Sequence, residues 1–342
     1  MTIRTGIIGY GVSGQIFHAS AVAANPAFEV AAIVTADAGR ARLAAERGFR
    51  VVATPEELLD QAELDLLVVA TPPHTHAGHV LSALERGVAV VTDKPFATSV
   101  AEAEMMIEAS ERAGVPVFVY QNRRWDSEFL TVCKLIDEGV LGDVFRFESA
   151  MEKFSGESLR ADWQRGLDRT SGGGVLFDLG AHLIDQALQL FGPATVEAAQ
   201  TASVFEGRAS EDEAFVWLRH ESGVSSHLAM SRSARRPAPR MRVLGTAGGW
   251  SMEVGDVQED QLKAGKSVTD ADYGVMPEEH WGVLTTTAGD ATVPSERGDH
   301  PAFYRGVAAT LIDGAENPVD PAGPLAALRI TDEAHRLADQ AK

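Results

Sequence analysis

The sequence predicts an α/β protein with two domains, and three observations support this prediction. Along residues 1–122, short apolar runs alternate with helix-like segments, which is typical of a parallel sheet with helices on both faces. Along residues 123–342, several strand-like runs follow one another without helices between them, which favours an α+β domain with a largely antiparallel open sheet. A chain of 342 residues is also too long for one compact core.

In the N-terminal domain, strands are predicted from apolar, β-branched runs that end in glycine or polar residues. These runs cover residues 3–9, 28–34, 66–70, 88–92 and 117–120. The helices between them have recognisable signals, such as Ser99 as a cap and Gly87 as a stop. They cover residues 15–25, 38–47, 74–86 and 100–113, with a further helix starting at Thr54.

The C-terminal domain is predicted to combine helices with a run of strands. Strands are expected over residues 144–150, 195–204, 214–219, 224–231 and 240–245. Helices are expected over residues 125–139, 175–191, 302–316 and 325–342. Residues 255–300 are rich in Gly, Asp and Thr and are expected to form mostly loop.

Composition excludes several classes of protein. Lys and Arg number 30 against 49 Asp and Glu, a net charge of −19, which argues against nucleic acid or an anionic membrane as a partner. A single cysteine, Cys133, excludes an internal disulfide and a cysteine-based zinc site. There is no apolar run of bilayer length and no signal-peptide pattern, so a cytoplasmic location is expected.

The segment Gly9-Tyr10-Gly11-Val12-Ser13-Gly14 has the form G-x-G-x-x-G and lies between the first strand and the first helix. In this pattern the first glycine permits a tight turn, the second lets a pyrophosphate approach the backbone, and the third lets helix and strand pack closely. The helix N-terminus then offers N–H groups to the phosphates. The sequence therefore predicts a dinucleotide-binding domain of the Rossmann type, with NAD or NADP as cofactor.

The residues that distinguish NAD from NADP should follow the second strand, which ends at Thr35. Asp37 could bind a ribose 2′-hydroxyl, or it could cap the next helix. Arg40 and Arg42 could instead reach a 2′-phosphate. We expect a preference for NADP.

Three polar side chains are candidates for the chemistry. Lys94, within Asp93-Lys94-Pro95, ends a predicted parallel strand, at the edge where open α/β sheets bind ligands. Asp178 and His182 are four residues apart on an otherwise apolar helix and so share one face. An imidazole can take the proton of an alcohol as a hydride departs. The alternatives are a solvated lysine and a buried His–Asp pair that only holds the core together.

Together these motifs resemble the Gfo/Idh/MocA oxidoreductases, over essentially the whole chain. The resemblance is carried by Gly9–Gly14, Thr71-Pro72 with His76, Asp93-Lys94-Pro95 and the helix with Asp178 and His182. The segments 120–126, 177–186, 258–260 and Trp281-Gly282 are most similar to the branch that contains NADP-dependent scyllo-inositol dehydrogenases.

The resemblance implies roles for particular residues. It makes Lys94, Asp178 and His182 the catalytic residues, and it implies that the Asn122–Arg124 segment lines the site. The residues implied on the cofactor side are Thr71, Pro72, His76, Lys94, Pro95 and Asn122. Those implied on the substrate side are Lys94, Asn122, Arg123, Asp178 and His182. It also implies a homodimer or homotetramer formed through the C-terminal sheet. Two positions depart from the family: Ala36-Asp37 stands where NADP-using relatives tend to have Ser-Arg, and Asp93 replaces the commoner glutamate.

Four other features of the sequence have both a functional and a structural interpretation. The cluster His74, His76 and His79 has no carboxylate or cysteine to complete a metal site, so no metal is expected. Trp163 could cover the substrate or could simply anchor its loop. Cys133 is expected to be a packed thiol. A basic cluster is expected to be a solvated loop or a subunit contact, and it comprises Arg232, Arg235, Arg236, Arg240 and Arg242.

The function predicted from these residues is hydride transfer between a nicotinamide cofactor and a secondary alcohol of a cyclitol, polyol or sugar. Lys94 would hold the reacting oxygen and His182 would exchange its proton. Asp178 would either fix a neighbouring hydroxyl or tune the imidazole. One alternative is a non-catalytic nucleotide-binding sensor or co-regulator. The other is redox-assisted glycoside cleavage, in which the cofactor is recycled in each turnover.

Overall fold

The computed structural model describes residues 2–61, 63–155 and 166–341. It divides into two compact units. The first comprises Met1–Gln121, Glu259–Tyr273 and His300–Leu325, and the second Asn122–Gln258, Gly274–Asp299 and Ala326–Lys342. The sequence predicts one boundary between residues 122 and 123, whereas two later segments also belong to the first unit. Aromatic packing joins the second of these segments to it, since Phe303 and Tyr304 contact Tyr120 edge-on or tilted at ring distances of 4.9 and 6.1 Å.

The first unit contains a six-stranded sheet in which every strand pair is parallel. Its order is β3-β2-β1-β4-β5-β6, so the strand order reverses between β1 and β4, where this type of sheet binds ligands. The strands are β1 Ile3–Ile8, β2 Phe28–Val34, β3 Val51–Val52, β4 Leu66–Val69, β5 Ala89–Thr92 and β6 Val117–Val119. The predicted Rossmann domain is therefore confirmed; the sequence missed only β3, which is two residues long.

The second unit contains an eight-stranded sheet of order β14-β13-β12-β11-β7-β10-β9-β8. All its neighbours are antiparallel except β7 and β10, so the largely antiparallel sheet is also confirmed. The strands are β7 Val144–Glu152, β8 Ala194–Ala202, β9 Glu213–His220, β10 Ser225–Ser231, β11 Met241–Gly245, β12 Gly248–Met252, β13 Gly282–Thr286 and β14 Gly289–Val293. The sequence missed β12, β13 and β14, which are rich in Gly and Thr; β13 and β14 lie in the segment expected to be loop.

Helices pack against both sheets. They are Ser20–Ala24, Ala38–Glu46, Pro55–Gln61, His76–Leu84, Val100–Ala113, Ser127–Asp137, Ala181–Phe191, Gln258–Lys263, Pro301–Asp313 and Ala322–Gln340. Two of them begin differently from the prediction. Wide helical turns of the π type, Ser13–Ala19 and Leu176–Gly180, precede the regular helices Ser20–Ala24 and Ala181–Phe191.

The core of the second unit lies between its sheet and the helix Ala181–Phe191. Leu183, Ile184 and Ala187 on that helix are fully buried in one cluster with sheet residues such as Phe147 and Leu228. Burial of each large aliphatic side chain contributes about 1.5–3 kcal/mol. This packing fixes the helix that carries the candidate residue His182.

Among the residues that the structure describes, no helix combines the length and the apolar character needed to cross a membrane.

Candidate active site

The three glycines of the G-x-G-x-x-G turn meet different surroundings. Gly9 has φ +94°, and a Cβ there would lie 2.2 Å from the carbonyl oxygen of Ala70 at the end of β4. A Cβ on Gly14 would lie 2.1 Å from the carbonyl oxygen of Gly9. Among the described residues, a Cβ on Gly11 would meet one group within 4 Å, the Arg40 guanidinium at 3.8 Å. Packing thus requires the first and third glycines, whereas the second leaves an open backbone that a pyrophosphate can approach.

The turn is joined to the strand that carries Lys94. Ser13 Oγ donates a short hydrogen bond to the Asp93 carboxylate, and Asp93 Oδ1 accepts from the backbone N–H of Lys94 at 2.8 Å. Val12, between Gly11 and Ser13, is 63% exposed. The residue pair Ser13 and Asp93 therefore connects the ends of β1 and β5 at the ligand-binding edge of the sheet.

Asp93 is held as a carboxylate although it is largely buried. Burial acts to raise its pKa, but the His18 imidazole, the Ser13 hydroxyl and the Lys94 ammonium outweigh it and lower the pKa to about 2. His18 Nε2 lies 3.6 Å from the carboxylate, which is too long for a hydrogen bond, so Ser13 and the backbone N–H of Lys94 are hydrogen-bond donors to Asp93 and His18 is not. On its other side, His18 Nδ1 contacts the Tyr304 hydroxyl at 2.7 Å. Burial, and then the Asp93 charge, raise the pKa of Tyr304.

His76 connects the loops that follow β4 and β5. It is fully buried, with Nε2 2.9 Å from the carbonyl oxygen of Thr71 and Nδ1 3.1 Å from that of Pro95. Burial lowers the pKa of His76, although the Asp93 charge and these carbonyl groups oppose the effect. Each ring nitrogen lies within hydrogen-bond distance of a backbone carbonyl oxygen. His76 therefore sets the position of the Thr71-Pro72 and Lys94-Pro95 segments. The Lys94–Pro95 peptide bond is cis.

On the ribose side, the structure gives Asp37 a local role. Asp37 Oδ1 accepts a hydrogen bond from the backbone N–H of Arg40 at 2.8 Å and so caps the helix Ala38–Glu46. Its own N–H is 3.4 Å from Thr35 Oγ1. Arg40 lies toward Gly11, whereas Arg42 pairs with Glu46 on an exposed helix face. Of the two arginines, Arg40 is therefore the one near the glycine turn.

In the second unit, a run of glycines leads into the helix with the candidate acid–base residues. Gly174 has φ +102°, and a Cβ there would lie 2.1 Å from the Glu211 carboxylate. Glu211 Oε1 accepts from the backbone N–H of Leu176 at 3.2 Å, and its carbonyl oxygen accepts from Val175. Glu211 thus accepts hydrogen bonds from N–H groups at the start of the helical segment. It can approach them because Gly172–Gly174 have no side chains. This contact fixes the turn that carries Asp178.

Asp178 is paired with an arginine that the sequence did not assign to the site. Arg232 Nη2 donates to Asp178 Oδ2 at 2.6 Å, and the two side chains are 14% and 31% exposed. For the basic cluster we expected a solvated loop or a subunit contact, and the solvated loop is wrong for Arg232 and Arg240, which form partly or largely buried ion pairs. Arg240 is 7% exposed and pairs with the buried Glu128 at 3.0 Å. Their partners are far away in sequence, so no local pattern could have identified them.

The helix that carries His182 is joined to the 122–125 turn by a second set of polar contacts. His182 and Asn122 are 4% and 5% exposed. Gln186, one helical turn after His182, donates to the carbonyl oxygen of Arg123 at 2.8 Å.

The neighbouring residues of the same turn form ion pairs. Arg124 binds Asp185 through two hydrogen bonds of 2.7 and 2.8 Å, and Arg123 pairs with Asp126 at 3.1 Å. These contacts bring the predicted site segment 122–124 against the His182 helix. Trp163 lies outside the described residues.

The candidate residues thus form two groups. The glycine turn, Arg40, the Thr71 and His76 segment and Lys94 belong to the first unit. Asn122, Arg123, Asp178 and His182 belong to the second. The first group contains the glycine turn expected of a dinucleotide site. The second group contains a carboxylate, a guanidinium and an imidazole within one unit.

Comparison with known proteins identifies the family to which the chain belongs. Residues 3–121 match the oxidoreductase family with an NAD-binding Rossmann fold, and residues 129–251 match the Gfo/Idh/MocA C-terminal domain. The scyllo-inositol 2-dehydrogenase (NADP(+)) IolW of Bacillus subtilis is 32% identical over 342 residues, which cover 97% of this chain and 93% of that protein. The D-apiose dehydrogenase of Paraburkholderia graminis is 36% identical over 217 residues, 61% of this chain and 55% of that protein.

Solved structures are similar over the full length. The Bacillus subtilis oxidoreductase yvaA superposes with a TM-score of 0.93 at 29% identity, covering 100% of this chain and 97% of that chain. An oxidoreductase from Klebsiella pneumoniae gives a TM-score of 0.89 at 32% identity, covering 100% and 94%. The chain therefore belongs to the Gfo/Idh/MocA oxidoreductase family and is an NAD(P)-dependent dehydrogenase.

Proposed function

We propose that this dehydrogenase acts on a secondary alcohol of a cyclitol, polyol or sugar, prefers NADP to NAD, and uses Lys94 and His182 at the reacting oxygen. The observation that carries the proposal is the hydrogen bond from Ser13 to Asp93. It joins the cofactor-binding turn to the residue immediately before Lys94, at the edge of the sheet where ligands bind. Lys94 is therefore anchored beside the glycine turn that receives the cofactor.

Each polar residue has one task in this proposal. The nicotinamide group, when bound, supplies the hydride acceptor for oxidation and the donor for reduction. The Lys94 ammonium donates a hydrogen bond to the alcohol oxygen and keeps it in place. The His182 imidazole takes the hydroxyl proton during oxidation and returns it during reduction. Asp178, whose charge Arg232 balances, accepts a hydrogen bond from a neighbouring hydroxyl.

Arg40 supports the preference for NADP. Its guanidinium faces the open backbone at Gly11, and it extends from the helix that directly follows the second strand. Asp37, the residue that could accept from a 2′-hydroxyl, already uses one carboxylate oxygen to cap that helix. A guanidinium at this place favours a 2′-phosphate because it can form charge-assisted hydrogen bonds with it.

The substrate class is supported by the relatives and by the polar groups of the second unit. One relative, similar over most of the chain, is named for scyllo-inositol. Another, similar over part of the chain, is named for D-apiose. Asp178, Arg232 and His182 offer both acceptors and donors, as a molecule with several hydroxyl groups requires.

The experiment is a panel of inositols and aldoses, each tested with NAD+ and NADP+ while reduced nicotinamide is followed by absorbance. We expect stoichiometric reduction of NADP+ with at least one cyclitol or sugar. Cofactor binding without reduction of either nucleotide by any substrate would indicate a nucleotide-binding sensor. Cleavage of a glycoside without a net absorbance change would indicate redox-assisted glycoside cleavage.

The outer face of the second unit's sheet supports self-association into a dimer or tetramer. Phe215 and Val283 are each 39% exposed on this face, and Trp217 lies beside Phe215 on the same strand. Exposed apolar side chains on one sheet face are typical of a protein interface. Light scattering tests this: we expect a dimer or tetramer for the wild type and a smaller species for Phe215→Glu, whereas a monomeric wild type would contradict it.

A further inference from the structure

We propose that Arg232 binds the substrate together with Asp178, and that this pair recognises two adjacent hydroxyl groups, one by donating and one by accepting. This inference rests on the proposed polyol dehydrogenase function and makes it more specific. Neither the G-x-G-x-x-G turn nor the motif with Asp178 and His182 assigns Arg232 to the site. The inference stands on the contacts of Arg232 itself.

The backbone of Arg232 is fixed on both sides. Arg232 directly follows β10, its N–H donates to the carbonyl oxygen of Asp212 at 2.9 Å, and its carbonyl oxygen accepts from Ser155 N–H at 2.9 Å. The side chain therefore leaves the sheet from a defined point. Its direction is then set by Asp178, which lies on the wide turn Leu176–Gly180.

The Arg232 guanidinium retains unused donors. It carries five N–H groups, and within the described part of the chain its hydrogen-bond partner is Asp178. Its Nε is buried and, among the described residues, has no hydrogen-bond partner. Buried donors cost free energy unless they find acceptors, so a ligand that supplies oxygen atoms is favoured at this site.

Asp178 and Arg232 together present complementary groups to a diol. The carboxylate can only accept hydrogen bonds and the guanidinium can only donate them, whereas a hydroxyl group does both. The two groups are 2.6 Å apart and both partly exposed, so adjacent hydroxyls can each meet one of them. A substrate that lacks one of these hydroxyls forms one hydrogen bond fewer with the pair, and sites built to bind a hydroxyl group discriminate strongly against such analogues.

The test compares Arg232→Met and Arg232→Lys with wild type, using an inositol that the wild type oxidises and its monodeoxy analogue at the carbon next to the reacting one. For Arg232→Met we expect KM for the inositol to rise roughly 10- to 100-fold, kcat to fall only a few-fold, and the discrimination against the deoxy analogue to shrink. Arg232→Lys keeps one charged donor without the planar fork, so we expect it to recover part of the loss.

Arg242→Met is the matched control, because Arg242 pairs with Glu148 at 3.0 Å on the sheet and is 43% exposed. We expect its kinetics to equal those of the wild type. Calorimetric NADP+ binding shows that each variant is folded; should Arg232→Met fail to fold, Arg232→Lys must still show raised KM and reduced discrimination.

Two results overturn the inference. One is a KM for the inositol that is the same in both Arg232 variants as in Arg242→Met. The other is an equal loss with the inositol and its deoxy analogue, which would give Arg232 a structural role only. A wild type that oxidises no polyol contradicts the proposed function itself, and this inference with it.

Discussion

Replacing Gly11 by alanine should separate cofactor binding from stability. The added methyl group has open space around it, because in the described part of the chain the Arg40 guanidinium is its one neighbour within 4 Å, at 3.8 Å, so the fold accepts it. The same methyl group occupies the backbone face that a pyrophosphate must approach. Loss of one charge-assisted hydrogen bond, worth about 1.5–3 kcal/mol, raises the Kd for NADP+ roughly 10- to 150-fold.

Gly14→Ala is the informative comparison, because the same methyl group there would stand 2.1 Å from the carbonyl oxygen of Gly9. The backbone must move to relieve this overlap, and overpacking of this kind costs about 1–3 kcal/mol or more. For a unit of this size, that corresponds to a fall in Tm of about 3–10 °C.

Gly78→Ala controls for the glycine-to-alanine change itself. Gly78 lies in the helix His76–Leu84, and apart from its chain neighbours and that helix's backbone the structure describes no atom within 4 Å of the added methyl group. We expect this variant to bind NADP+ normally and to gain about 0.5–1 kcal/mol of stability.

Thermal unfolding without cofactor and calorimetric titration with NADP+ give the two quantities for each variant. The expected result is weak binding with an unchanged Tm for Gly11→Ala, and a lowered Tm for Gly14→Ala. Wild-type affinity in Gly11→Ala would refute the assignment of the open backbone to the pyrophosphate. Equal Tm values for the Gly11 and Gly14 variants would refute the packing argument.

Two further predictions concern charge. Arg40→Gln should raise KM for NADP+ about 10- to 100-fold while KM for NAD+ stays within about threefold, in steady-state assays with both nucleotides; equal effects on the two would contradict a 2′-phosphate contact. The pKa of Asp93 is lowered from 3.8 to about 2 in the folded state. Above about pH 5 the ionised form therefore adds about 2 kcal/mol to the free energy of unfolding, and this contribution is lost as the pH falls toward 2. In urea unfolding at about pH 6 and pH 3, the stability advantage of wild type over Asp93→Asn should narrow by about 1 kcal/mol, and a constant difference would contradict the lowered pKa.

The sequence predicted the features that local patterns encode. The strands of the first sheet are apolar runs bounded by turns, and the glycine turn is a fixed spacing, so both could be identified from neighbouring residues. The helix cap at Ser99 is of the same kind, since its side chain accepts from Glu102 three residues later.

Features that depend on distant residues could not be predicted. Arg232 meets Asp178 across 54 positions, and Ser13 meets Asp93 across 80. No composition or spacing rule connects such residues before the sheets are formed. The strands β13 and β14 were missed for a related reason, since their Thr- and Gly-rich residues lack the alternation of a strand and take extended form by pairing with each other and with β12.

His76 shows how a structure changes the meaning of a motif residue. The resemblance put it on the cofactor side, and the structure shows its two ring nitrogens at the carbonyl oxygens of Thr71 and Pro95. It can therefore influence the cofactor site by setting the two loops beside it.

The most direct test of the central proposal is the turnover of Lys94→Ala and His182→Ala on a substrate that the wild type oxidises, measured together with their affinity for NADP+. We expect each variant to lose at least about 100-fold in kcat, as removal of a general acid–base group or an oxygen-binding cation does, with an NADP+ Kd within a few-fold of wild type. Full activity in both variants would show that neither side chain acts at the alcohol.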